Sequence, residues 1–350
     1  MNVPILFLVF NRPAQTTRVF ETIRQARPQR LFVAADGPRP GRAGEGALCA
    51  ETRRLATAID WPCEIKTLFR ETNLGCGAAV SGAISWFFEN VEEGIILEDD
   101  CLPNPDFFKF CAVMLERYRD NEKVGTIGGT HCLPAELEMN RSHYASKYFQ
   151  MWGWASWRRF WQHYDFSMST ATDQGWRDIF RATHPVQLEA KFWQLIYQKL
   201  KSGGFDTWDF QVCFTAWQQR AMHIMPSKNL VSNLGYGSDA THTNFASPMS
   251  ELSTFPLQVN DVLPQLEPKP QIDDLIFYVR YLDSLGHTFW LEQLTAPDER
   301  LTEARNELSR TTRKLKQLEN EITEKRRQLR DAVQAIGNDD SRAHLTPVAP

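Results

Sequence analysis

The feature that most constrains this chain is an alternation, from residue 4 to residue 97, between short apolar runs and stretches with a helical apolar face. Pro4 to Phe10 has the length and apolarity of a strand buried on both faces, and it stops at Asn11, Arg12 and Pro13. Val19, Ile23 and Ala26 then mark one face of a helix, and Leu31 to Ala35 is a second buried run ending at Asp36 and Gly37. The Pro-, Gly- and Arg-rich piece from Pro38 to Gly46 reads as an exposed loop. A helix over 47–59, a strand near 65–69, a helix over 78–88 and the run Ile95 to Leu97 continue the pattern. This β-α-β-α-β-α-β order predicts a largely parallel sheet with helices on both faces.

In such sheets ligands sit beyond the carboxyl ends of the strands, near the topological switch point. The residues there are polar: Asn11 and Arg12 after the first strand, Asp36 after the second, Arg70, Asn73 and Gly75 after the third, and Glu98, Asp99 and Asp100 after the fourth. Three carboxylates at a buried strand end repel one another unless a cation or a donor network compensates. A hard divalent ion, Mg²⁺ or Mn²⁺, held by one or two of them and completed by phosphates and water, suits the triplet. The plainer reading is a solvated turn whose Asp caps the segment from Pro105 to Tyr118. Asp36 and Gly37 suit a nucleotide base or ribose, or else an ordinary Asp-Gly turn. Asn73 to Gly77, just before a helix, offers backbone N–H groups to a phosphate.

From Lys123 to Phe245 the alternation is lost, and eight of the eleven tryptophans lie between Trp152 and Trp217. Trp152 and Gly153 fit a loop that walls a ligand, because flat rings stack on sugars or bases and glycine lets backbone approach. Trp157 and Trp161 read as core residues on a helix starting near Ala155. Downstream, Asp206 and Asp209 are three residues apart in an aromatic surround. That setting raises a carboxylate toward the range useful for a general base; Asp206 suits a helix cap and Asp209 the base. His242, after the turn at Gly235 and Gly237, is a further candidate metal ligand.

With 39 basic and 43 acidic residues the net charge is -4, which argues against nucleic-acid binding and for small, discrete partners. Seven cysteines with no Cys-x-x-Cys pair read as reduced thiols. Met1 to Phe10 has no basic n-region, and no stretch approaches the roughly 20 apolar residues of a membrane span. The expected location is cytoplasmic, at most peripheral to the inner face of the membrane.

Together these residues resemble an inverting glycosyltransferase of the GT-A fold, family 2 type, most similar to bacterial nucleotide-diphospho-sugar transferases that build surface polysaccharides. The resemblance covers residues 2–246 and rests on the order of Phe10, Asn11, Arg12, Pro13; Asp36, Gly37; Asn73, Leu74, Gly75; and Glu98, Asp99, Asp100. The last looks like the family's acidic metal motif in the form seen in N-acetylglucosaminyltransferase I. Trp152, Gly153 and Trp154 resemble the donor loop, Trp208 and Asp209 the segment of the catalytic base, and His242 the C-terminal metal-binding histidine. The resemblance implies a nucleotide-diphosphate sugar as donor and a glycan or other hydroxyl as acceptor. It further implies that Asp36 contacts the base, Asp99 the ribose and Asp100 a Mn²⁺ or Mg²⁺ bridging the diphosphate. Many relatives carry a Glu-Asp pair where this chain has Trp208 and Asp209, so Asp206 stays a rival base.

The last distinct piece lies outside the resemblance. Leu294, Leu301, Leu308, Leu315, Ile322, Leu329 and Ile336 fall every seventh residue on a highly charged stretch, the signature of a coiled coil. The other seam position (Ala304, Thr311, Leu318, Lys325, Ala332) is poor. The expected division is a GT-A domain over 1–262, a linker and helix over 263–296, a coiled coil over 297–338 offering a surface for self-association or a partner helix, and a disordered tail over 339–350. Two other functions are compatible with parts of the sequence. One is a sugar-phosphate nucleotidyltransferase, although its Gly-rich basic loop after the first strand is missing here. The other is a catalytically silent sugar-nucleotide-binding scaffold that works through its coiled coil.

Overall fold

The structure, a computed structural model, describes residues 1–133, 141–235, 252–264, 266–267, 269–283 and scattered residues between 308 and 328. Backbone contacts divide the chain into two units, residues 1–287 and residues 288–350. The first half of unit 1 follows the apolar alternation: β1 (Ile5–Val9), α1 (Pro13–Ala26), β2 (Arg30–Ala35), α2 (Glu45–Ala56), β3 (Glu64–Phe69), α3 (Cys76–Asn90) and β4 (Glu93–Glu98). A short β5 (Cys101–Pro103), α4 (Pro105–Arg117) and β6 (Val124–Gly128) come next. The aromatic half contains β7 (His143–Ser146), β8 (Trp154–Trp157), α5 (Arg158–Trp161), α6 (Asp173–Thr183), α7 (Gln187–Lys201), α8 (Asp209–Gln219), β9 (Met222–Pro226) and β10 (Val231–Asn233). After the loop, α9 (Pro270–Ile276) runs on into π-helical turns over Phe277–Asp283.

The fold is α/β: an eight-stranded mixed sheet in the order β3-β2-β1-β4-β8-β6-β9-β7, flanked by helices. Strands β3, β2, β1 and β4 are parallel, as the alternation predicts. β1 is buried along its whole length, which is why its sequence is an uninterrupted apolar run. β3 is an edge strand and mostly exposed, which explains its mixed Glu-Ile-Lys-Thr text. The chain winds from β1 outward to β3, and α3 then carries it back across to place β4 on the other side of β1. The direction of winding therefore reverses between β1 and β4, and that is where a ligand crevice belongs.

The aromatic half departs from the sequence expectation in one respect. Trp154 to Trp157 is not the start of a helix but a strand, β8, antiparallel to both β4 and β6, and only the four-residue α5 follows it. Its central position requires every side chain to be buried, and both tryptophans are. All eight tryptophans between 152 and 217 are in fact buried. A second aromatic core gathers around Tyr148, against Trp193, Trp217, Phe277 and Tyr281, so the segment after Pro270 is packed into unit 1. A fully buried polar network underlies it: Lys147 Nζ lies 3.1 Å from Glu189, Tyr148 donates its hydroxyl proton to Glu189, and Asp273 accepts from Ser146 Oγ at 2.7 Å.

Among the described residues no helix is long and apolar enough to cross a membrane. None of the seven cysteines is in a disulfide. In unit 2 the described residues between 308 and 328 are helical, while the seam residues Leu315, Ile322 and Leu329 fall outside the described set.

Candidate active site

The switch-point crevice is built from the ends of β1 and β4. Pro13 starts α1 where its missing N–H is no loss, and Arg12 occupies the N-cap position without capping. Its guanidinium turns instead to the carboxylates at the end of β4: Nη1 lies 2.8 Å from Asp100 Oδ2 and 3.5 Å from Asp99 Oδ1. The Phe10 backbone N–H donates to Asp99 Oδ2 at 3.1 Å. Asn104, not the triplet, caps α4, accepting from the N–H groups of Asp106 and Phe107. The plainer reading of the triplet as a helix cap is thereby removed.

Burial dominates the electrostatics at the end of β4. Desolvation pushes the Glu98 carboxyl well above the usual carboxylate range, and the charges of Asp100, Asp99 and Asp209 add to this against Arg12. Asp99 is pushed up to about 7 by burial first and by Asp100 second, with Arg12 and the Phe10 N–H opposing. Burial alone would lower the Arg12 value, yet Asp99 and Asp100 together raise it. The charge of Asp209, the first residue of α8, thus reaches Glu98.

Gly235 closes one side. β10 pairs antiparallel with β5, the Leu234 N–H donates to the Asp100 carbonyl at 2.7 Å, and a Cβ at Gly235 would collide with Asp100 Oδ2. The described chain stops there, so His242 lies outside the described residues. Among those described, no group of three or more His, Cys, Asp or Glu is arranged to hold a metal ion. Asp99 and Asp100 present carboxylate oxygens, the donor type of a hard divalent ion that takes its other ligands from diphosphate and water.

The other sequence-derived residues divide in two. Asp36 accepts from the N–H groups of Leu74 (2.9 Å) and Gly37 (2.9 Å), and Asn73 Nδ2 donates to the Gly37 carbonyl at 2.8 Å. These bonds tie the ends of β2 and β3 together. Asn11 donates to Glu45, which Arg39 also grips, and the Arg39 guanidinium lies 5.5 Å from the Phe10 ring. Gly75 (φ +83°) precedes α3, whose first N–H groups, those of Cys76 and Gly77, donate to Asp206 at 2.8 and 2.7 Å. A carboxylate from 130 residues away thus occupies the helix N-terminus that the sequence offers to a phosphate. Asp206 caps α3 and not its own helix, whose N-cap position is Trp208.

Asp209 is buried, hydrogen-bonded at one oxygen and ion-paired at the other. Thr207 Oγ1 donates to Oδ1, and Arg280 Nη2 lies 3.9 Å from Oδ2. Arg280 also lies 5.2 Å over the Trp152 ring and 2.8 Å from Met151 Sδ. Gly153 (φ +63°) supplies the bend that β8 needs, with its carbonyl accepting from Gly129 N–H at 2.8 Å and no room for a Cβ against Val231. Arg280 and Thr207 escaped the sequence reading, and Gly235 entered it only as a turn residue. None carries a local signal, since each acts through a partner far away in the chain or in a turn.

No protein-family model matches the sequence, and no curated protein matches it. Among solved structures the chain is similar to S. aureus TarS 1–349, with TM-score 0.37 and 11% identity over 67% of this chain and 61% of that one. It is similar to UDP-glucose pyrophosphorylase complexed with UDP-glucose, with TM-score 0.36 and 9% identity over 65% and 90%. It is also similar to HddC from Yersinia pseudotuberculosis, with TM-score 0.29 and 11% identity over 46% and 80%. The chain thus spans less than two thirds of the TarS structure. At TM-scores this low, function must be argued from the site itself.

Proposed function

We propose that the protein is a glycosyltransferase of GT-A type that moves a sugar from a nucleotide-diphosphate sugar to a hydroxyl acceptor, with inversion at the anomeric carbon and with a divalent metal. The observation that carries this reading is the gathering of Glu98, Asp99 and Asp100 against the Arg12 guanidinium at the ends of the paired strands β1 and β4. Asp100, with His242 as a second protein ligand, would hold Mn²⁺ or Mg²⁺. When bound, the metal offsets charge on the departing nucleoside diphosphate.

The remaining roles belong to the chain's own side chains. Asp99, fixed by the Phe10 N–H, accepts from the ribose hydroxyls. Asp36, Asn73 and Gly75 shape the base end of the crevice beside Phe10 and Asn11. Trp152 and Gly153 wall the sugar. Asp209 takes the proton of the acceptor hydroxyl as it attacks the anomeric carbon from the face opposite the diphosphate. Asp206 is assigned to capping α3, because both its oxygens already accept backbone N–H groups.

Release of nucleoside diphosphate from a panel of sugar nucleotides with Mn²⁺ tests this reading. Turnover by the wild type and its loss in Asp100→Ala is the expected result. A sugar-nucleotide that binds without turnover points to the scaffold function, and consumption of added pyrophosphate with a nucleoside triphosphate and a sugar 1-phosphate as products points to the nucleotidyltransferase.

A further inference from the structure

We infer that Arg280 is a positioning residue for the Asp209 carboxylate, so that the helical segment after Pro270 completes the active site. This rests on the transferase reading above. Three observations converge on it. Arg280 Nη2 is 3.9 Å from Asp209 Oδ2, and both side chains are about nine-tenths buried, with 10% and 9% exposed. The same guanidinium covers the Trp152 ring at 5.2 Å and touches Met151 Sδ at 2.8 Å, joining the proposed base to the proposed sugar-walling loop. Its own position is fixed from behind, since the adjacent Tyr281 packs on Tyr148 and Trp193 and its hydroxyl lies 3.6 Å from Cys213 Sγ on α8.

The division of labour at Asp209 follows. Thr207 holds Oδ1 and Arg280 attracts Oδ2, so the carboxylate has one orientation when the acceptor hydroxyl arrives. Arg280 touches no reacting atom in this arrangement. Its planar head can lie flat on an indole while pointing an N–H at a carboxylate, a combination that an ammonium group reproduces only in part. A base turned or displaced by about 1 Å loses roughly a hundredfold in rate.

The test is a double-mutant cycle with Arg280→Gln, Arg280→Lys and Asp209→Asn, reading kcat, KM and donor affinity together with the melting temperature. Arg280→Gln is expected to lower kcat roughly tenfold to a hundredfold, leaving donor affinity within about twofold, and Arg280→Lys to recover part of the loss. In the Asp209→Asn background Arg280→Gln is expected to change kcat little further, because its effect on the proton transfer runs through that carboxylate. A wild-type kcat in Arg280→Gln, or an equal loss with and without Asp209, overturns the inference. Should Arg280→Gln not fold, Arg280→Lys decides by the same comparison. A wild type that releases nucleoside diphosphate from no donor overturns the transferase reading and this inference with it, whereas an active wild type beside an equally active Arg280→Gln overturns this inference alone.

Discussion

Asp206 and Asp209 stand three residues apart and do different things. Asp206 accepts the first two N–H groups of α3, and Asp209 accepts from Thr207 and lies 3.9 Å from Arg280. Asp209→Asn should therefore lower kcat by about a hundredfold to ten-thousandfold, the range for loss of a general base, and lower the melting temperature as well, because it takes the carboxylate from a buried ion pair. Asp206→Ala should retain transfer but lose about 1 kcal/mol of stability through the missing cap, read by chemical denaturation. The acidic triplet was legible because three carboxylates after an apolar run have few structural uses. The helix-capping role of Asp206 was not, because the helix it caps lies 129 and 130 residues away in sequence.

Strands buried on both faces wrote themselves into the sequence as apolar runs, and for that reason β1, β2 and β4 could be placed within a residue or two. β8 could not, because Trp-Ala-Ser-Trp fits a buried helix turn as well as a central strand, and only its pairing with β4 and β6 decides. The ribbon of β5 and β10 was equally hidden, since three residues show no periodicity. That ribbon nevertheless brings Gly235 against Asp100. Gly235→Ala should displace the Asp100 side chain and weaken Mn²⁺-dependent turnover while leaving the fold intact; paired measurements of activity against Mn²⁺ concentration and of melting temperature check this.

Across the whole molecule, two classes of buried titratable group work against one another. Burial lowers His131 and His143 to about 4 and His223 to about 3. Each is neutral in the fold, so its contribution is complete above the unfolded value near 6.5 and is lost as pH falls toward 4. Glu189 has the opposite sign. Burial raises it to about 7 against Lys147, so its contribution is complete below its unfolded value and is lost as pH rises through 7. Urea midpoints from pH 8 to pH 5 should therefore fall less steeply on the acid side in His223→Asn and more steeply in Glu189→Gln. The heptads of unit 2 give a separate expectation: ending the chain at residue 287, where unit 1 ends, should preserve turnover and lower the number of chains per particle measured by sedimentation if residues 297–338 self-associate.

The central claim is that the carboxylates where β1 and β4 part hold a metal and a nucleotide-diphosphate sugar. Its most direct test is a crystal structure with a donor that the wild type turns over, using the anomalous signal of Mn²⁺. The account predicts a manganese peak bound by Asp100 and by the donor diphosphate, with the ribose on Asp99. A donor seated elsewhere, or a manganese peak away from Asp100, would contradict it.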